Sequence, residues 1–276
     1  MFTDLTRISR FALVPAALFA FANVSLAQDS VSAREPARLD VPFVPTPQGV
    51  VQRMLELGEV QKDDYVIDLG SGDGRIAIAA AKRGARALGV DIDPRRIEEA
   101  TANAAKEGVN DRVTFRRENL FETPIKDADV ITMYLLTSVN HKLRPRLLEE
   151  LRPGTRIVSH AFNMGEWQPD AHERVDNRDV YLWIIPAKVD GRWTLKDGEQ
   201  AIDLDIKQEF QAVQGNATVN GSTVPITNGK LNGDEIVFTL EIGGKPETYQ
   251  GKVNGEKIEA MTGPVATKQG WSATKG

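Results

Sequence analysis

The chain has 276 residues, of which 41% are apolar and 26% charged, with a formal net charge of −5 and no cysteine. Such a composition is globular rather than disordered, and the length leaves room for two domains. The acidic balance argues against a nucleic acid backbone as the main partner, and without cysteine there is neither a disulfide nor a thiolate nucleophile, so chemistry through a cysteine adduct is excluded.

At the N-terminus, Arg7 and Arg10 precede an apolar run from Phe11 to Ala22 that is too short to span a bilayer, and Ser25-Leu26-Ala27 follows with small residues at cleavage spacing. Residues 1–27 therefore read as a secretory signal cut after Ala27, with an uncleaved anchor or a transit peptide as the alternatives, and 28–39 as a polar leader. The expected location is the periplasm or outside the cell, or the membrane if the signal stays in place.

From residue 48 to about 187, within a domain expected over 40–187, strands and helices alternate, the pattern of an α/β doubly wound sheet. Gln48 to Leu57 is predicted to be a helix, because Val50, Val51, Met54 and Leu55 fall on one face. Tyr65 to Leu69 is the first strand, Arg75 to Lys82 the next helix, and Ala85 to Asp91 a second strand. Asp93 then serves as N-cap with Pro94 at the first helical position, ahead of a helix spanning Arg96 to Glu107. Val113 to Phe115, Asp129 to Leu135, Arg156 to Ser159 and Val180 to Ile185 read as strands, and His141 to Leu151 as a helix closed by Pro153-Gly154.

Composition shifts after Pro186. Residues 189–276 hold 13 of the 23 glycines, and Asn-Gly pairs recur at 220–221, 228–229, 232–233 and 254–255, a strong hairpin signal. Ile202, Leu204 and Ile206 alternate with polar residues, as do Ile236, Phe238 and Leu240, so residues 188–276 are expected to form a small all-β barrel-like domain. The segments around Trp193 and Trp271 read as partner strands that close it. By pattern it resembles lipocalin-like barrels; nothing in it clusters for chemistry, and no site residues are assigned to it.

Val66-Ile67-Asp68-Leu69-Gly70-Ser71-Gly72-Asp73-Gly74 carries the functional signal: an apolar strand ends in an acid and then turns through alternating glycines into a helix. Counting from Gly70, the third glycine of a dinucleotide fingerprint would fall at 75, which is Arg75. Asp68 in the mouth of the turn would repel a pyrophosphate and attract an ammonium or sulfonium group. Asp91, about 20 residues further on at the end of the next strand, stands where a ribose diol needs a carboxylate.

With these residues in place, 40–187 resembles a class I S-adenosylmethionine-dependent methyltransferase. Val41-Pro42-Phe43-Val44-Pro45-Thr46-Pro47, the glycine turn, and Gly154 to Ser159 leading to Trp167 resemble a narrower group that includes the lysine methyltransferase of the ATP synthase rotor ring and its bacterial relatives. The resemblance implies S-adenosyl-L-methionine as cofactor. The backbone of Gly70, Ser71 and Gly72 would cradle its methionine portion, Asp68 would lie near its ammonium through water, Asp91 would take the ribose hydroxyls, and Thr46 would help hold the carboxylate. Asn119 stands where that class usually carries an acid for the adenine amino group; its amide oxygen can accept, or it is a loop asparagine. Tyr134 either faces the transferred methyl group or fills the core, and His160 is either a base for a lysine ammonium or a structural histidine. His141 and His172 lack metal-ligand spacing, so no metal site is expected.

The resemblance makes a protein lysine amine the expected acceptor, with a small-molecule acceptor as an alternative. An exported binding module with a vestigial pocket is the rival of a different class. No nucleic acid partner and no stable membrane span after signal cleavage are expected.

Overall fold

A computed structural model describes residues 43–262 and 267–276. The signal, the polar leader and Val41-Pro42 lie outside the described residues. Among the described residues, no helix is long and apolar enough to cross a membrane.

The first half is built on a seven-stranded sheet in the order β3-β2-β1-β4-β5-β7-β6. Its strands are β1 (Tyr65–Leu69), β2 (Arg86–Asp91), β3 (Val113–Arg117), β4 (Val130–Met133), β5 (Arg156–His160), β6 (Ala171–Val175) and β7 (Arg178–Ile184). The first five run parallel, and β7 inserts antiparallel between β5 and β6. Helices α1 (Gln48–Leu57), α2 (Arg75–Lys82), α3 (Pro94–Lys106) and α4 (Thr137–Glu150) cover it.

Buried parallel strands carry apolar side chains on both faces, and the two cores divide by residue parity. Val66, Val130 and Val158 pack with α1 and α2 on one face, whereas Ile67, Ile131 and Ile157 pack with Leu143 and Leu147 of α4 on the other. Because β2 and β4 flank β1, the strand order reverses at the carboxyl end of β1, and the crevice that such a reversal opens is where ligands of doubly wound sheets bind.

The predicted α1, β1 and α2 match the structure residue for residue, since each combines a clear period with a sharp terminator. Helix α3 starts at Pro94, with the Asp93 side chain accepting from the Arg95 N–H. Strand β4 stops at Met133, short of the predicted Leu135, and two further elements differ. Helix α4 begins one turn before His141, because Asn140 belongs to the buried face and donates to the carbonyls of Phe162 and Asn163. Strand β6 has no counterpart among the predicted elements, since its Ala-His-Glu-Arg-Val sequence alternates only between half-buried and exposed positions at a sheet edge.

The second half is a closed antiparallel barrel. Strands β8 (Gly191–Asp197), β9 (Gln200–Glu209), β10 (Ala212–Val219), β11 (Ser222–Asn232), β12 (Glu235–Ile242), β13 (Lys245–Asn254), β14 (Lys257–Ala260) and β16 (Ser272–Lys275) form the ring, with β12–β13 and β16–β8 pairings completing it. The short β15 (Thr267–Lys268) pairs parallel with β13. Trp193, Phe238, Tyr249 and Trp271 fill the interior. Asn220-Gly221, with both residues at positive φ, turns β10 into β11, and Asn232-Gly233 and Asn254-Gly255 sit at the next hairpins. Asn228-Gly229 is not a hairpin: it lies inside β11 at a register shift between Thr227 and Lys230, where a side chain at 229 would strike the Val213 carbonyl. The pair supplies a bulge that bends the strand around the barrel.

Candidate active site

A cleft opens at the carboxyl ends of β1, β2 and β4, the place where a doubly wound sheet with this strand order binds its ligands. Thr46, Gly70, Ser71, Gly72, Asp91, Asn119 and Tyr134 all line it, so seven of the nine residues singled out from the sequence converge there. Asp68 and His160 do not line it; both are buried behind its wall.

The glycine turn is built by the strand beside it. Gly70 and Ser71 both donate to the Val90 carbonyl, at 2.9 and 2.8 Å, and Gly72 donates to Asp91 Oδ2 at 3.0 Å. All three N–H groups are therefore bonded within the protein, because β2 reaches across to satisfy them. What the turn offers is close approach. Gly70 and Gly72 have φ of +79° and +53°, and a Cβ on Gly72 would run into the Phe43 ring. Asp91 is held by Gly72 on one oxygen and by the Asp93 N–H on the other at 2.9 Å, which aims its remaining lone pairs.

Asp68 is buried under the turn. Thr132 Oγ1 donates to its Oδ1 at 2.8 Å, and its Oδ2 has no partner. Burial pushes its carboxyl up to about 7, the Thr132 bond opposes that rise, and the nearby charges of Asp91 and Asp73 reinforce it. Asn119 is occupied as a turn cap: its amide oxygen accepts from the Phe121 N–H at 3.1 Å and its amide donates to Glu122 at 3.0 Å.

His160 sits at the end of β5 with Nδ1 3.1 Å from Thr46 Oγ1 and its ring 3.8 Å from the Tyr134 ring. Burial, with a smaller push from the charge of Arg178, brings its imidazole down to about 4. It is a neutral side chain placed behind Thr46 and Tyr134, not a group exposed to an incoming acceptor.

Among the twelve further residues that line the cleft, Glu118, Phe43, Arg75 and Arg96 are not singled out from the sequence as site residues and bear on what it can hold. Glu118 keeps a buried oxygen without a partner, Oε2, as the expected Ser71 does with its Oγ, and buried polar atoms in that state call for a ligand or water. Phe43, Arg75 and Arg96 form the outer wall. Arg75 donates to the Thr46 carbonyl at 2.8 Å and pairs with Asp73, and the Arg96 guanidinium lies 4.3 Å over the Phe43 ring. Phe43 belongs to the legible motif around Thr46, whereas Glu118 is marked only by burial that tertiary packing creates. This mixture of a Cβ-free turn, a backbone-anchored carboxylate and orphaned oxygens fits a ligand with a diol, a polar base and a cationic end, as S-adenosylmethionine has.

The ANTKMT methyltransferase domain family matches residues 68–171. A protein-lysine N-methyltransferase of Saccharolobus islandicus is 50% identical over 151 residues, which cover 52% of this chain and 94% of that protein. The adenine nucleotide translocase lysine N-methyltransferase of Mus musculus is 36% identical over 139 residues, covering 50% of this chain and 60% of that one. A solved RNA methyltransferase from Salinibacter ruber, in complex with S-adenosyl-L-homocysteine, superposes with a TM-score of 0.52 at 52% identity, over 53% of this chain and 96% of that one. About half of this chain thus matches nearly the whole length of the Saccharolobus islandicus and Salinibacter ruber proteins.

Proposed function

Because the chain belongs to the family of S-adenosylmethionine-dependent methyltransferases that includes these lysine methyltransferases, we propose that its acceptor is the side-chain amine of a protein lysine. The observation that carries the reading is the convergence, in one cleft, of the glycine turn, Asp91, and the buried unpartnered oxygens of Ser71 and Glu118. The 50% identity to a protein-lysine methyltransferase supports the acceptor class.

In this reading Asp91 accepts from the ribose hydroxyls, Ser71 and Glu118 complete the polar contacts to the adenosyl portion, and Asp68 holds negative potential under the cationic end. Asn119 shapes the base site through the turn that it caps. When bound, S-adenosylmethionine supplies a methyl group on a sulfonium leaving group. The protein then has to align and desolvate: the Tyr134 ring offers an aromatic face to a cationic amine, and Phe43 and Val44, 42% and 49% exposed, flank the opening.

His160 does not act as the base. His160 is fully buried and does not line the cleft, so in this reading the lysine enters as the free amine, its proton left in bulk solvent before it docks, and His160 orients Thr46 and Tyr134. We also propose that residues 1–27 export the chain, on the strength of Arg7, Arg10, the apolar run and Ala27. Mass measurement of the mature N-terminus tests this.

The activity test is transfer of tritiated methyl from S-adenosylmethionine to an envelope extract, followed by acid hydrolysis. Label in methyllysine is the expected result. Label confined to RNA or to low-mass products would replace the acceptor, and no binding of S-adenosylhomocysteine at millimolar concentration would remove the cofactor as well.

A further inference from the structure

We propose that the tip of the β9–β10 hairpin, Phe210-Gln211, is a positioning element of the methyltransferase site: the barrel holds the loop 161–170 that backs Tyr134. The inference rests on the function proposed above, and concerns how the acceptor side of that cleft is kept in shape.

The loop leaves β5 with Ala161 at φ +66° and places Phe162 against Tyr134, ring centroids 6.1 Å apart and planes within 24°. Tyr134 in turn lines the cleft. From within the first half the loop is tied by Asn140, which donates to the carbonyls of Phe162 and Asn163 at 3.1 and 3.3 Å, and by Arg144, which donates to the Met164 carbonyl at 2.7 Å. Further anchors come from the barrel.

Gln211 makes two opposed bonds to the loop. Its Oε1 accepts from Trp167 Nε1 at 2.9 Å, and its Nε2 donates to the Gln168 carbonyl at 2.8 Å. Phe210 stacks on Trp167 with centroids 5.8 Å apart and planes within 14°, and the Arg144 guanidinium lies 5.5 Å from the same ring. Trp167 is fully buried between Phe210 and Trp183, which lies 6.0 Å away and donates to its carbonyl at 2.9 Å, and it pairs with Met164 in a short backbone bridge, so the hairpin tip holds the loop that carries Phe162 against Tyr134.

Backbone conformation marks Phe210 as placed for contact. It occupies the left-handed region at φ +53°, where an asparagine or glycine would serve a hairpin better and a large aromatic residue is strained. A strained aromatic at a turn tip is explained by what its ring touches, here Trp167 and Arg144.

The test uses the full chain with Phe210→Asn, which relieves the turn and removes the ring, Gln211→Ala, and Phe210→Tyr, which keeps the stack. Hydrogen exchange in the presence of S-adenosylhomocysteine should show residues 160–168 exchanging at least tenfold faster in the first two variants and unchanged in Phe210→Tyr. With poly-L-lysine as methyl acceptor, its KM should rise roughly tenfold in the same two variants while the affinity for S-adenosylhomocysteine stays within about twofold. Unaltered exchange in Phe210→Asn, or an acceptor KM equal to that of the parent, would overturn the inference. Loss of S-adenosylhomocysteine binding by the unaltered chain would instead overturn the function on which it rests.

Discussion

The two halves of the molecule handle buried polarity in opposite ways. Of the six buried side-chain atoms without a hydrogen-bond partner among the described residues, Asp68 Oδ2, Ser71 Oγ, Glu118 Oε2, Asn140 Oδ1 and His160 Nε2 belong to the α/β half and only Trp271 Nε1 to the barrel. In the barrel, the hydroxyl of the buried Tyr249 is bonded to Asp197 and Glu247, and Lys268 pairs with both of those acids. Unsatisfied groups are expensive to bury, so a fold that keeps several of them at or behind one cleft reserves that place for a ligand, whereas a barrel closed over Trp193, Phe238, Tyr249 and Trp271 is organised for packing.

If that contrast is right, damage to the barrel interior should lower stability and leave the cofactor site alone. Phe238 is 1% exposed and meets Tyr249 and Trp271 at 5.3 and 5.9 Å, so Phe238→Ala should cost about 3–5 kcal/mol in denaturant unfolding. Calorimetry on the folded fraction should still give S-adenosylhomocysteine affinity within about twofold of the parent. A large drop in that affinity would mean that the barrel interior belongs to the site.

The converse substitution is Gly72→Val. It puts a branched side chain at φ +53° and into the Phe43 ring, so affinity for S-adenosylhomocysteine should fall by two to three orders of magnitude, about 3–4 kcal/mol. The barrel should remain folded, as near-ultraviolet circular dichroism of its buried tryptophans would report. Parent-like affinity would show that the turn is scaffolding only.

These expectations also measure how much was legible in the sequence. Local order was readable because periodicity and glycine punctuation are local signals: α1, β1 and α2 follow from them, as do the Asn220 turn and the barrel alternation of Ile202, Leu204 and Ile206. Residues of the cleft were readable where a motif forces the backbone, as at Gly70 to Gly72 and Asp91. The rest depends on which side of a wall a side chain falls. Asp68 and His160 lie one layer behind the cleft, Asn119 caps a turn, and Glu118 keeps an oxygen in reserve only because β2 and β3 pack around it; none of these facts has a local signature. Asn228 shows the same limit in the barrel, since one Asn-Gly pair bulges a strand while its sequence twins turn hairpins.

Asp68 sharpens the comparison through pH. Its carboxyl is raised to about 7 in the folded chain and has its ordinary value when unfolded, so between those values the folded state holds a proton that the unfolded state does not. Stability from this group is therefore complete at low pH and is lost as pH rises toward about 7. Comparing ligand-free parent and Asp68→Asn by denaturant titration, the parent should lose about 2–3 kcal/mol relative to the variant between about pH 5 and pH 7. The opposite slope from His160, whose depressed imidazole makes stability fall as pH drops below its ordinary range, is common to both proteins and cancels. A flat difference would place Asp68 in contact with water and remove its role under the cationic end of the cofactor.

The smallest expected effect tests whether one residue can serve fold and site separately. Asp93 caps α3 with its side chain, accepting from the Arg95 N–H at 2.9 Å, while its own backbone N–H anchors Asp91 at 2.9 Å. Asp93→Ala removes the first contact and keeps the second, so thermal or denaturant unfolding should report a loss of about 1 kcal/mol with S-adenosylhomocysteine affinity nearly unchanged. A fall in affinity larger than the fall in stability would mean that the cap sets the position of Asp91, and that helix start and ribose site are one device rather than two that share a turn.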